Sequence, residues 1–193
     1  MDNVTRSERT RSIALQAALG IITSEGATKL TMDAIARESG ISKGGVLHHF
    51  KNKESVLKAL LARQIENGDL IFSQCLQRAS SESKNPALTA QIMTLHEAAN
   101  HPNSTAFALA GAMADAPELL EEVRSVEAQR VEQMTAVSLN KNETLLRWAA
   151  AKGLALSAML GLCPLSDAER ERLFGYLEND ANWEMNTKKS SEP

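Results

Sequence analysis

Two short stretches gather most of the residues of this chain that could do chemistry. The first is HEAANH, residues 96–101. Two histidines four residues apart, the first followed by a glutamate, would share one helix face and, with a third ligand, chelate zinc. Here Asn100 takes the second histidine's place, and His101 lies about 140° round a helix from His96 by the helical period. The stretch is read instead as a helix end before Pro102, with His96 in the core or on a pocket wall. Cys75 and Cys163 stand alone without metal-type spacing and are read as reduced, buried thiols. No serine or cysteine has a catalytic context, and no glycine-rich loop could cradle a nucleotide. The residues predict no catalytic group, no metal, no cofactor and no enzyme.

The second stretch is SKGGVLHHFKNK, residues 42–53, where bases crowd a poor helix former. Two adjacent glycines cost a helix about 1 kcal/mol each relative to alanine, yet Val46, Leu47 and Phe50 keep helical spacing. Upstream, Thr31 can cap a short helix carrying Met32, Ile35 and Ala36 that stops at Gly40, and Ser42 can cap the next. Two short helices joined through SGIS make a helix-turn-helix. Ala36 is small where the helices must cross, and Ile41, Val46 and Phe50 face inward. Ser42, Lys43, Gly44, Gly45, His48 and His49 are left on the outer face, which suits a DNA major groove. Bare backbone at Gly44 and Gly45 allows close approach to phosphates or base edges. Lys43 can reach a guanine edge or a phosphate, and His48 can donate or accept at the groove wall. Thr31, through its amide, and Lys53 lie where the flanking DNA backbone would run. His49 could equally brace the hinge into the next helix.

The elements around this head are helical throughout. Ile13, Ala14, Ala17, Ala18, Ile21 and Ile22 form one stripe that ends before Gly26, and no segment alternates like a strand. Asn52 can cap a long helix with Val56, Leu57, Leu60 and Leu61 inward. Helices are expected at about 53–78, 86–100, 103–115, 117–139, 143–162 and 167–183, giving an all-α chain. The expected division is a DNA-binding domain over 1–53, a helical sensing and dimerisation domain over 54–185, and a flexible tail over 186–193. The net charge of −3 conceals a +4 stretch over residues 1–63 and a −7 remainder, as befits a chain that meets a polyanion at one end. No stretch is long and apolar enough for a membrane, and the polar N-terminus lacks a secretion signal, so a cytoplasmic protein is expected.

TMDAIARESGISKGGVLHHFKNKESVL, preceded by a helix ending in TSEGATKL, resembles the DNA-binding domain of TetR-family transcriptional regulators. The resemblance covers roughly residues 7–60 and rests on T-x(3)-I-A-x(3)-G-I-S-x-G followed by H-F and K. Leu47 departs from it, because the family usually has there a tyrosine whose hydroxyl binds a phosphate.

Leu145, Ala149, Gly153, Leu156 and Leu160 lie on one stripe, and Leu173, Phe174 and Leu177 supply a face on the final helix. In TetR-like proteins the last two helices form a four-helix dimer interface, so the resemblance assigns these residues to a homodimer. A two-fold pair of short reading heads matches a palindromic operator in double-stranded DNA. Phe72, Met93, Phe107, Met113, Trp148 and Met159 are bulky and adaptable enough to form either an ordinary core or a pocket. The first five are taken as candidate contacts for a small-molecule effector of unknown identity. The expected function is a ligand-responsive regulator, more often a repressor. Its rivals are a DNA-binding factor controlled by a protein partner or acting on the chromosome, and a helical enzyme or carrier with an incidental basic end.

Overall fold

A short 3-10 turn over Ala27–Lys29 follows the first helix and leads into the helix-turn-helix. The computed structural model describes residues 3–79, 83–100, 109, 111 and 117–183. Among these residues there are eight α-helices and no strand. They are α1 (Asn3–Glu25), α2 (Met32–Ser39), α3 (Lys43–His49), α4 (Lys53–Ala79), α5 (Pro86–Asn100), α6 (Pro117–Ala136), α7 (Lys141–Met159) and α8 (Asp167–Glu178). The chain divides into two compact units, Met1–Glu66 with Ser104–Val123, and Asn67–Asn103 with Arg124–Pro193.

In the first unit, α1, α2, α3 and the start of α4 close over one apolar core. Ala14, Ala18, Ile21 and Ile22 of α1 meet Ile35, Val46, Phe50, Val56, Leu57 and Leu60. Full burial of a side chain such as Phe50 stabilises by about 1.5–3 kcal/mol relative to exposure. Ile13, expected in the α1 stripe, is 42% exposed, and Leu15 is buried in the same helix.

The second unit packs α5 most extensively on α7, with α8 against both. Small Ala151 and Ala155 of α7 admit close approach, and Leu88, Ile92, Ala99, Met134, Phe174 and Leu177 fill the layer. A smaller cluster joins Cys75 and Ala79 of α4 to Ala90 of α5. One buried cation is built into this unit. Arg147, 3% exposed, donates to the Leu177 carbonyl at 2.6 and 3.0 Å and to Asp180 at 2.9 Å. Asp180 also accepts from the Ser83 hydroxyl at 2.9 Å and the Lys84 amide at 2.8 Å. Arg147 thereby satisfies carbonyls at the C-terminal end of α8, where a positive charge also suits the helix dipole.

Helix ends differ from expectation where side chains cap the backbone. α7 begins early because the Asn140 side chain accepts from the Glu143 amide, and it ends at Met159, just before Gly161 adopts φ +66°. α8 stops at Glu178 because Asn179 is extended and caps a separate 3-10 turn, Asp180–Asn182. α6 stops at Ala136, three residues short of the expected end. Apart from residues 109 and 111, the expected helix over 103–115 lies outside the described residues, as does the tail.

Candidate nucleic-acid interface

Each helix of the helix-turn-helix begins at a side-chain cap. The Thr31 hydroxyl accepts from the Ala34 amide at 3.0 Å at the start of α2, and the Ser42 hydroxyl accepts from the Gly45 amide at 3.1 Å at the start of α3. Such caps each stabilise a helix by about 1 kcal/mol. Gly40 leaves α2 in the left-handed conformation, φ +68°, which a side chain would resist. Asn52 and Ser55 cap each other at the start of α4, at 2.9 and 3.2 Å. With Val46 and Phe50 at 0% and 2% exposure, α3 has one fixed outward face.

That face carries Lys43, Gly44, Leu47 and His48, all exposed, with Gly45 and His49 half-buried beside them. The two glycines do different things. A Cβ at Gly44 would meet nothing within 4 Å, whereas one at Gly45 would lie 2.8 Å from Ile41 Cγ2 and 3.2 Å from Ser42 Oγ. Gly45 is therefore required by the turn itself, and Gly44 is the bare position on the surface.

The bases are partly engaged within the molecule. The Lys43 ammonium pairs with both carboxylate oxygens of Asp33 at 3.0 Å. Both groups are exposed, so the pair is weak and readily exchanged for a phosphate. Lys53 donates to the Ala27 carbonyl at 2.9 Å, bracing α4 against the turn after α1. His48 and His49 meet edge to face, their ring centroids 5.2 Å apart. Burial first, then the nearby charges of His48 and Arg11, hold His49 below the usual histidine range. At neutral pH His49 is uncharged and better placed to brace than to neutralise phosphate. Arg11 also stacks over Phe50, 5.4 Å from its ring centroid. Sequence reasoning missed Asp33 and Arg11 because both act across gaps that no local pattern marks.

In the HEAANH stretch His96 is held between two carboxylates. His96 presents Nε2 to Glu171 at 2.7 Å and Nδ1 to Glu178 at 3.2 Å, and its ring stacks on Phe174 at 4.4 Å. The carboxylates sit on opposite nitrogens, so no single point could bind an ion to all three. Burial pushes the Glu178 carboxyl up, partly offset by His96. His101 lies outside the described residues. Among the described residues no group of three or more histidine, cysteine or acidic side chains could hold a metal.

The three expected effector contacts among the described residues fall in two clusters. Phe72 and Met93 join the small cluster around Cys75, while Trp148 packs in the larger core with Lys152 over its ring at 4.9 Å. Phe107 and Met113 lie outside the described residues. A cavity of about 640 Å³ includes Met93 with Arg78, Thr89 and Glu178, and one of about 360 Å³ is lined by Leu88, Leu139, Arg147 and Trp183. Neither includes Phe72 or Trp148.

The expected dimer residues separate into two groups. Ala149, Gly153, Leu156 and Leu160 are exposed, and Leu145 and Leu173 are half-buried. Ala149, Gly153, Leu173 and Tyr176 border an open, largely apolar groove of about 540 Å³ between α7 and α8. Phe174 and Leu177 are 0% and 6% exposed within the monomer. Both pack in its core against α5 and α7, which leaves Phe174 no surface for a second subunit, while Leu177 also lines the floor of the groove. Cys163, expected to be buried, is half-buried on the same groove, and Cys75 is fully buried.

Residues 14–60 match the family described as bacterial regulatory proteins, tetR family. Residues 85–182, half of the chain, match the tetracyclin repressor-like C-terminal domain. The regulator SrpR of Pseudomonas putida is 37% identical over 67 residues, 35% of this chain and 32% of SrpR. The chain thus spans about a third of that relative's length. A TetR-family regulator from Rhodococcus sp. superposes with a TM-score of 0.66 at 19% identity, over 88% of this chain and 97% of that one. The SmeT–triclosan complex superposes at 0.58 with 22% identity, over 90% of each chain.

Proposed function

The chain belongs to the TetR family of transcriptional regulators, and from that premise we propose that it is a homodimeric repressor released from a palindromic operator by a small molecule. The observation that carries the DNA half is the outward face of α3, fixed by caps at both ends of the turn and bearing Lys43, bare Gly44 and His48. Thr31 and Ser42 present this face through their caps, and Lys53 flanks it. Residues 1–53 do the reading and 54–185 the sensing and pairing, in the cytoplasm and without catalysis.

Pairing is assigned to the exposed stripe of Ala149, Gly153, Leu156 and Leu160 with half-buried Leu145 and Leu173. A Cβ at Gly153 would meet nothing within 4 Å in the monomer, so a glutamate there is tolerated until a partner covers it. Burying it without a counter-charge costs several kcal/mol. Gly153→Glu is expected to sediment as a folded monomer, and an intact dimer would place the interface elsewhere. The sensor half is supported by the fold likeness to SmeT, seen with triclosan. The effector must favour the DNA-incompetent state, by about 1–3 kcal/mol of coupling.

Footprinting on the DNA upstream of the chain's own reading frame tests the whole. A protected palindrome, weakened by salt and released by a compound that raises the melting temperature, is the expected result. Protection that no compound releases would favour control by a protein partner.

A further inference from the structure

The outward face of α3 contains one large apolar side chain. Leu47 is 41% exposed, while its neighbour Val46 is 0% exposed and Phe50, one turn on, is 2%. Around it stand Lys43 and Gly44 one turn back and His48 next in line, all exposed. Leu47 lies one turn on from Gly44 and Lys43 on the same helix face. A Cβ at Gly44 would touch nothing within 4 Å. Leu47 thus borders an open notch, floored by bare backbone and flanked by an ammonium and an imidazole.

A leucine cannot hydrogen-bond a phosphate. Pressed on a guanine, cytosine or adenine edge, it would strip water from polar groups without replacing the lost hydrogen bonds. The one apolar feature on a major-groove edge is the C5-methyl of thymine. We propose that Leu47 is a specificity-determining residue that selects thymine by packing its isobutyl group on that methyl. The inference rests on the reading of α3 as the DNA-contacting helix. Gly44 leaves the notch open for the methyl, and Lys43 and His48 supply polar contacts on either side. Leu47 acts through apolar contact alone, so its effect is insensitive to salt, unlike that of Lys43.

The test uses the full-length protein and operators selected by it from a random DNA pool. Each thymine is replaced in turn by uracil, which removes only the C5-methyl. For the wild type, one such replacement per half-site is expected to weaken binding about fourfold, the worth of one buried methyl group. For Leu47→Ala, confirmed folded by its melting curve, the same replacement is expected to change nothing. Equal weakening of both proteins would assign the methyl to another residue and overturn the inference alone. An operator whose thymines can all be replaced without effect on the wild type would also overturn it. Failure of the wild type to select any DNA would instead overturn the DNA-binding reading, and this inference with it.

Discussion

The caps that shape α3 are local, whereas the second unit adds to local caps of its own several polar bonds that cross long stretches of chain. In the first unit, the caps that shape the reading surface span three residues, as Thr31 to Ala34, Ser42 to Gly45 and Asn52 to Ser55. In the second, Ser83 reaches Asp180, Arg147 reaches Leu177, and His96 reaches Glu178. These partners are separated by 97, 30 and 82 residues. A unit built from local caps can present a constant surface while its sequence changes elsewhere. A unit built from long-range polar bonds has an interior that answers to distant substitutions.

The largest test of this contrast is Asp180→Ala. It leaves the buried Arg147 guanidinium with only the more distant Glu143 carboxylate, at 4.0 Å, and should cost about 3 kcal/mol. Hydrogen exchange should accelerate in α7 and α8 and leave α1–α3 unchanged, and equal acceleration in both would erase the distinction. The contribution also depends on pH. Burial opposes the Asp180 charge, but the Lys84 amide, the Ser83 hydroxyl and Arg147 together hold its carboxyl below the usual range. Its stabilisation is therefore complete above the unfolded aspartate pKa and lost as pH falls through the lowered folded value.

Within the first unit, the adjacent glycines give a smaller effect of opposite signs. Gly44→Ala should stabilise the fold by up to about 1 kcal/mol, since alanine is the better helix former and meets open space. It should also weaken operator binding by filling the notch. Gly45→Ala sets the same helical gain against a 2.8 Å clash with Ile41 and should destabilise by about 1 kcal/mol net. Denaturant melts of the two variants compare them directly, and two shifts of the same sign would refute the division of roles.

Smaller still are the effects at Asp33 and Lys43. Asp33→Ala frees an exposed ammonium from an exposed partner and should strengthen non-specific DNA binding by up to about fivefold. Lys43→Ala should lower the slope of log affinity against log salt by about 1. Titrations at several salt concentrations measure both. The smallest effect is that of His49. Its depressed folded pKa means that its contribution to stability is present above the unfolded value near 6.5 and fades as pH falls through the folded one. His49→Gln should flatten that acid-side decline in the melting temperature.

Much of the first unit is legible along the chain because its determinants are short-range. Thr31, Gly40, Ser42 and Asn52 each announce a helix end within three residues, and Val46 and Phe50 reveal the inner face by period. What period cannot supply is the identity of the neighbour on each face. Leu173, Phe174 and Leu177 read as one apolar patch, yet Phe174 stacks on His96 of α5 while Leu173 borders the open groove. The same holds for the effector candidates. Phe72, Met93 and Trp148 are bulky residues in the middle of the chain, and only the packing of α4, α5 and α7 assigns them to separate clusters. Gly45 illustrates a third limit, since its reason lies in a contact with Ile41 across the turn rather than in what approaches from outside.

The bond from Lys53 to the Ala27 carbonyl has a mechanical consequence. It fastens the first turn of α4 to the segment that follows α1, while Val56, Leu57 and Leu60 of the same helix are embedded in the core beneath α3. Within the first unit, the base of α4 is therefore held twice, by this polar bond to the segment before α2 and by the apolar core it shares with Val46 and Phe50.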